Sequence, residues 1–234
     1  MRQLLFPIAA LLLIASPGPT LAAGQTAEDV ARESAACDQG KATACFNLGV
    51  DYENGDGVAQ DVSRAAELYA KGCDGGSAEA CDNLGVDYAN GDGVAKDSAR
   101  AVTLFTKACD NGVGRGCYNL GVAYDDGTAG ATDAVRSAQL YGKACDLGDA
   151  NGCFSLASAY DTGAGVAKDM ARGAVLYAKA CDSGSASACN NLGDDYEKGL
   201  GVAVDHARAT GLFNRSCDAG DSEGCANAGR PTPK

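Results

Sequence analysis

The sequence predicts an all-α protein, a right-handed α/α solenoid of 36-residue helix-turn-helix repeats that is disulfide-stapled. First, its twelve cysteines are separated alternately by 8 and 28 residues, so the pattern repeats every 36 residues without insertion or deletion. Second, a leucine and a tyrosine recur with this step, four residues apart, which places both on one face of a helix. Third, a glycine-containing turn follows this helix in each repeat. A period of this length is typical of solenoids of small helical units.

The N-terminus has the features of a secretory signal peptide, predicted over residues 1–23. Arg2 supplies a positive charge, an apolar run follows over residues 4–15, and Ala22 and Ala23 suit a cleavage site. The apolar run is shorter than the ~20 residues of a membrane-spanning helix, although an uncleaved anchor is the alternative. We therefore expect an exported protein, periplasmic or extracellular, with no stable membrane insertion.

The rest of the chain divides into repeats and two incomplete ends. Residues 24–40 are predicted to form an N-terminal half-repeat with one helix over 27–38. Residues 221–234 are predicted to form a truncated C-terminal helix and tail, in which Ala228 replaces the recurring leucine. Half-repeats are expected at the ends of a solenoid, where they cover the last exposed faces. The five predicted repeats, the first to the fifth, span 41–76, 77–112, 113–148, 149–184 and 185–220.

The first helix of each repeat, here the first-type helix, carries the recurring leucine and tyrosine with a glycine between them. Glycine in a helix interior costs about 1 kcal/mol relative to alanine, so its recurrence indicates that another helix packs closely there. The fourth repeat has Ala157 at this place. The leucines are Leu48, Leu84, Leu120, Leu156 and Leu192; the tyrosines are Tyr52, Tyr88, Tyr124, Tyr160 and Tyr196; the glycines are Gly49, Gly85, Gly121 and Gly193.

The second helix of each repeat, here the second-type helix, follows an aspartate that is well suited to an N-cap. An arginine follows each aspartate by three residues and is interpreted as its surface partner, while an arginine ladder that binds phosphate or carboxylate is the sharper alternative. The first-type helices are predicted to have caps at Ser77, Asp149, Ser185 and Asp221, whereas Lys41 and Val113 are poor caps. The aspartates are Asp61, Asp97, Asp133, Asp169 and Asp205; the arginines are Arg64, Arg100, Arg136, Arg172 and Arg208.

The cysteine pairs are predicted to form six local disulfides. Each pair joins the last turn of one helix to the first turns of the next, and antiparallel neighbours bring such positions within disulfide distance. Metal binding and redox catalysis are the alternatives, but the spacing matches neither kind of motif. The predicted bridges are Cys37–Cys45, Cys73–Cys81, Cys109–Cys117, Cys145–Cys153, Cys181–Cys189 and Cys217–Cys225.

Composition excludes several classes of function. A net charge of −12 without a basic run argues against nucleic acid and against a polybasic membrane patch. A single histidine, His206, excludes histidine-rich metal centres, and we predict no cofactor and no metal site. Acidic residues around the first turn, such as Asp51, Glu53 and Asp56, raise calcium as an alternative, but the spacing of an EF-hand is absent and turn chemistry is our interpretation.

These motifs resemble the Sel1-like repeat family, a relative of the tetratricopeptide repeat. The family pattern of alanine, leucine-glycine and tyrosine corresponds to Ala44, Leu48 with Gly49, and Tyr52, and its later part corresponds to Asp61 and to the residues around Leu68. The resemblance covers about 41–220, and the cysteine pair in every repeat is similar to a secreted branch, the Helicobacter cysteine-rich protein family. It implies a scaffold that binds peptides or proteins on its concave face; it also implies an alternative, because some members of that branch are β-lactamases or penicillin binders.

The residues favour the binding interpretation over the enzyme. Serine β-lactamases need a Ser-x-x-Lys motif, which no serine after the predicted signal peptide has, and zinc β-lactamases need several histidines. We therefore predict no catalytic residue, and interpret His206 as a solvated residue at the start of a helix.

An asparagine directly precedes the core leucine in most first-type helices and could bind the backbone of an extended peptide. The residue before this asparagine differs between repeats, as expected if these side chains select particular side chains of a bound peptide. The alternative is that each asparagine bonds locally between helices. The predicted concave-face binding residues are Asn47, Asn83, Asn119, Asn191, Tyr118 and Phe154, and the predicted partner is a protein or peptide.

Overall fold

The computed structural model describes residues 25–232. The predicted signal peptide at 1–23 and the last two residues of the predicted tail lie outside the described residues. Every element in the described range is a helix, which confirms the all-α prediction. The helices are α1 (Ala27–Asp38), α2 (Ala42–Asn54), α3 (Val62–Asp74), α4 (Ala78–Asn90), α5 (Ser98–Asp110), α6 (Gly114–Asp125), α7 (Ala134–Asp146), α8 (Ala150–Thr162), α9 (Met170–Asp182), α10 (Ala186–Lys198), α11 (His206–Asp218) and α12 (Ser222–Asn227).

Even-numbered helices are first-type and odd-numbered helices are second-type. Each packs against its neighbours in sequence, so the helices form a continuous stack rather than a bundle with one centre. Within the described residues, the second-type α1 begins the stack and the short first-type α12 ends it.

Capping side chains fix where the helices begin. The carboxylate of Asp61 accepts a hydrogen bond of 2.9 Å from the backbone N–H of Arg64, and the corresponding aspartates cap α5, α7, α9 and α11 in the same way. Ser77 and its counterparts cap α4, α8, α10 and α12, while Lys41 and Val113 provide no side-chain cap. Both sets of predictions are confirmed.

The recurring glycine lies where an aromatic ring of the second-type helix crosses the first-type helix. A Cβ on Gly49 would lie 2.5 Å from Cε1 of Tyr69, a distance that no methyl group tolerates. The fourth repeat achieves the same close packing differently. Its first-type helix has Ala157 and its second-type helix has Gly173, whose Cβ would lie 3.3 Å from the Ala157 carbonyl oxygen.

All six predicted disulfides are present, which confirms the pairing. Their Cα atoms are 4.3–4.7 Å apart, and each bridge joins a second-type helix to the first-type helix of the next repeat. All twelve cysteines are buried in the core. Each bridge closes a short loop of the unfolded chain, which stabilises the native stack by about 2.5 kcal/mol in the chain-entropy model.

Basic side chains add a second set of links beside the disulfides, which the sequence analysis did not predict. Lys107 Nζ donates to the carbonyl oxygen of Cys73 at 2.8 Å, and Lys179 does the same to Cys145. Arg215 donates to the Cys181 carbonyl at 2.7 Å. Each cation therefore satisfies the carboxyl end of the second-type helix one repeat earlier, where the helix dipole favours positive charge.

None of the helices described in 25–232 combines the length and apolar character that crossing a membrane requires.

Candidate binding surface on the first-type helices

The first-type helices lie on the inner side of the stack. The main contacts between like helices of successive repeats are α2 with α4, α4 with α6, α6 with α8, and α10 with α12, all first-type. Helices that approach one another more closely than their counterparts lie on the concave side of a curved stack. The concave surface is therefore built from the first-type helices, on which the predicted binding residues lie.

Several of the predicted binding asparagines make hydrogen bonds between repeats. Asn119 Nδ2 donates to Oδ1 of Asp82 at 3.0 Å, and Asp82 is fully buried. Arg115 donates to both Asp82 and Asn83. These four side chains form one polar network between α4 and α6, which satisfies a carboxylate that burial would otherwise penalise.

Asn83 and Asn191 lie near tyrosine hydroxyls of the preceding repeat. Burial, and then the carboxylate of Glu53, raise the pKa of Tyr69, while the side chain of Asn83 acts in the opposite direction. Burial raises the pKa of Tyr177 to about 12, and here Asn191 acts in the opposite direction. Asn47 differs from the others, because it is exposed and makes no side-chain hydrogen bond with any residue in 25–232.

The predicted aromatic residues are half-buried and lie against the aromatic ring of their own second-type helix. The ring centroids of Tyr118 and Tyr141 are 5.8 Å apart, and those of Phe154 and Tyr177 are 5.6 Å apart. Each ring is therefore packed against another ring of its own repeat and stays partly exposed.

Buried carboxylates with one oxygen unpartnered in residues 25–232 lie in two of the repeat interfaces, and they were not among the predicted site residues. At the first of these, Asp87 is 7% exposed, its Oδ2 has no hydrogen-bond partner in residues 25–232, and the Tyr69 hydroxyl donates to Glu53 beside it. Burial, and then the charges of Glu53 and Asp92, raise the pKa of Asp87 to about 7. This arrangement between α2, α3 and α4 is here called the closed interface.

The interface of the fourth and fifth repeats has the same form. Burial, and then the charges of Asp161 and Asp194, raise the pKa of Asp195 to about 7, and its Oδ2 also has no partner in the described chain. At the N-terminal end, burial and then Glu33 raise the pKa of Asp51 to about 6.

The two central interfaces are open instead. Ala123 and Ala159 occupy the places that correspond to Asp87 and Asp195, and a pocket lies beside each alanine. One pocket, of about 320 Å³, lies between α4, α5 and α6; the other, of about 310 Å³, lies between α6, α7 and α8. The second of these, beside Ala159, is here called the open interface.

The remaining candidate groups have ordinary local contacts. His206 is exposed, and its Nδ1 lies 2.8 Å from Glu197 Oε2. Arg100, Arg172 and Arg208 pair with the aspartates three residues before them and lie over the recurring tyrosines. Within 25–232, no group of three or more histidine, cysteine, aspartate or glutamate side chains could hold a metal ion.

Comparison with known proteins identifies the repeat. The Sel1 repeat matches five consecutive segments, residues 42–77, 78–113, 114–149, 150–185 and 186–221. A search among curated proteins gave no significant match.

Three solved structures are similar to this chain. A protective antigen of uropathogenic Escherichia coli strains, described as displaying an SLR fold, is 30% identical over 86% of this chain with a TM-score of 0.76, and this chain spans 43% of its length. A Sel1 repeat protein from Oxalobacter formigenes is 27% identical over 81% of this chain and 76% of its own, with a TM-score of 0.74. Helicobacter pylori cysteine rich protein B is 30% identical over 56% of this chain and 94% of its own, with a TM-score of 0.47.

The five matched segments cover most of the chain, and they coincide with the helix pairs described above. The chain belongs to the Sel1 repeat family.

Proposed function

We propose that this protein is an exported scaffold that binds a peptide, or an extended segment of a protein, across its concave surface. Sel1 repeats generally mediate protein interactions. The observation that carries the proposal for this chain is the pair of adjacent pockets at the two central repeat interfaces. A surface with pockets set side by side at the spacing of the repeats suits a linear ligand better than a compact one.

The net charge of the protein and its disulfides indicate the kind of partner and the cellular compartment. The net charge of −12 attracts basic partners and speeds their association. Six disulfides with no free cysteine in residues 25–232 suit an oxidising compartment, which supports export to the periplasm or beyond. The predicted binding residues remain a proposal; Asn47 is exposed, and the other five are partly exposed.

The proposal is tested by retention of peptides on the immobilised, oxidised protein. The probes are fluorescent nine-residue peptide pools, and the variants are Asn47→Ala and Tyr118→Ala. Because Asn47 makes no bond within the described chain, its loss should leave stability unchanged and lower retention at least two-fold. Tyr118→Ala should lower retention further, and its folding is checked by denaturation.

Val135→Ala is the matched control, since Val135 is exposed on the second-type helix α7, away from the concave surface. Retention that is absent for every pool, or that falls equally in the Val135 variant, would contradict the proposed function.

A further inference from the structure

The open interface contains a buried hydroxyl group that makes no well-aligned hydrogen bond to the described chain. Ser137 is 1% exposed and lines the pocket beside Ala159; its Oγ has no partner of good geometry in residues 25–232, although the Tyr141 hydroxyl lies near it. The first, second and fifth repeats have alanine at this place, as Ala65, Ala101 and Ala209. A buried polar atom without a well-aligned partner is unfavourable by about 1–3 kcal/mol, so a donor that reached this hydroxyl would be favourable.

The same pocket presents a free carboxylate. Asp125 lines it at the end of α6 and forms no ion pair with any basic side chain in the described range. No lysine or arginine lines this pocket, whereas Lys96 lines the neighbouring one. The carboxyl end of α6 adds further negative potential at this point.

The other lining residues suit a long side chain with an apolar stem. The rings of Phe154 and Tyr141 line one part of the pocket, and the hydroxyl groups of Ser155 and Ser158 line another. Burial raises the pKa of Tyr141, the nearby Ser137 side chain acts in the opposite direction, and the charges of Asp125 and Asp126 raise it further, which agrees with a negative environment. At about 310 Å³ the pocket is near the lower limit for ligand sites, a size that fits one side chain.

We infer that the pocket between α6, α7 and α8 receives a lysine or arginine side chain of the bound partner. The cationic group pairs with the Asp125 carboxylate and donates to the Ser137 hydroxyl oxygen, while the aliphatic stem packs on Phe154 and Tyr141. This inference rests on the proposed function, because the side chain belongs to a segment lying on the concave surface.

The experiment uses nine-residue peptide pools that are degenerate except for a fixed central residue. The central residue is Lys, Arg, Nε-acetyl-lysine, Gln or Glu, and retention on the oxidised protein is measured at 150 mM salt so that long-range attraction is screened. We expect the Lys and Arg pools to be retained at least three-fold better than the Nε-acetyl-lysine and Gln pools.

Four variants distinguish binding in the pocket from a general attraction of basic peptides to the negatively charged protein. Asp125→Asn and Ser137→Ala remove the two polar contacts, and Ala159→Asn fills the pocket with a neutral side chain of the shape that Asp87 and Asp195 have at this place. All three should reduce the preference for Lys and Arg to less than half. Asp146→Asn makes the same charge change as Asp125→Asn at an exposed site outside the pocket, and should leave the preference unchanged.

The outcomes distinguish the inference from the proposed function. If the pools bind and respond to Asn47→Ala, but Asp125→Asn and Asp146→Asn weaken basic pools equally, the inference is wrong and the proposed function stands. If no pool binds, both fail together. If Ala159→Asn alone abolishes binding of every pool regardless of the central residue, the pocket binds another part of the partner and the assignment of a basic side chain is wrong.

Discussion

The closed interface around Asp87 and the open interface around Ala159 are built on the same frame but differ in what fills them. Both have the bridging disulfide, the capping aspartate and a tyrosine of the second-type helix at equivalent places. In the closed interface a buried carboxyl group and the Tyr69–Glu53 bond occupy the space between repeats. In the open interface an alanine leaves a pocket of about 310 Å³. At this one place, therefore, the choice between aspartate and alanine decides whether the space beside the second-type tyrosine is filled or left as a pocket.

The tyrosines should reveal the largest difference between the two interfaces. Tyr69 has no solvent exposure, so Tyr69→Ala should lower the free energy of unfolding by about 3–5 kcal/mol through the cavity that it leaves. Tyr141 already lines a pocket, so the loss of stability for Tyr141→Ala should be about 1–2 kcal/mol smaller than the loss for Tyr69→Ala. Denaturation by guanidinium chloride of the oxidised variants measures both values. Equal losses would mean that the two tyrosines are packed alike in solution.

The disulfides should contribute equally at the two interfaces. Cys73–Cys81 and Cys145–Cys153 have the same sequence separation of 8 residues. Replacing either pair by alanines should therefore lower stability by about 2.5 kcal/mol. Two variants test this expectation, each with both cysteines of one bridge replaced by alanine, and their denaturant midpoints are compared. A difference above about 1 kcal/mol would show that the interfaces differ in more than the content of their pockets.

The closed interface should also give the protein a pH dependence that the open one lacks. The pKa of Asp87 is raised from 3.8 to about 7 by burial and neighbouring carboxylates. The folded chain thus keeps a proton that the unfolded chain releases, so this contribution is full below about pH 4 and is lost as the pH rises to about 7. Relative to the parent, Asp87→Asn should become more stable as the pH rises from 4 to 8, by at least about 1.4 kcal/mol, which is the equivalent of one pKa unit.

Asp195→Asn should behave in the same way, because the pKa of Asp195 is also raised to about 7. Ala159→Asn introduces the same amide into the open interface and is the control, with a pH profile parallel to that of the parent. Parallel profiles for all three variants would mean that neither aspartate keeps its proton in the folded state.

The helices, caps and disulfides were predictable because each of them recurs with the 36-residue period of the sequence. Caps such as Asp61, the glycine beside Tyr69 and the paired cysteines act between residues that are close in the chain or related by the period. The contents of the interfaces were not predictable in the same way. Glu53 and Asp87 are 34 residues apart, as are Cys73 and Lys107, and they meet only because the repeats stack. An aspartate is normally exposed, and nothing in the sequence around Asp87 marks it as buried. Its burial depends on how the repeats stack.

The smallest effect we expect is also the one that separates stability from binding. Ser137→Ala removes a buried hydroxyl without a well-aligned partner in the described chain, so it should raise the free energy of unfolding by about 1 kcal/mol. The reverse change in the second repeat, Ala101→Ser, should lower it by a similar amount, because Ala101 is equally buried. Denaturant midpoints of the two variants at one pH test the pair. The Ser137 variant can be more stable than the parent and still retain basic peptides less well. In that case the hydroxyl destabilises the protein without ligand, and this loss is offset only when a ligand occupies the open interface. If the variant is less stable, Ser137 already has a partner within the folded chain, and the difference between the open and closed interfaces reduces to the space that Ala159 leaves.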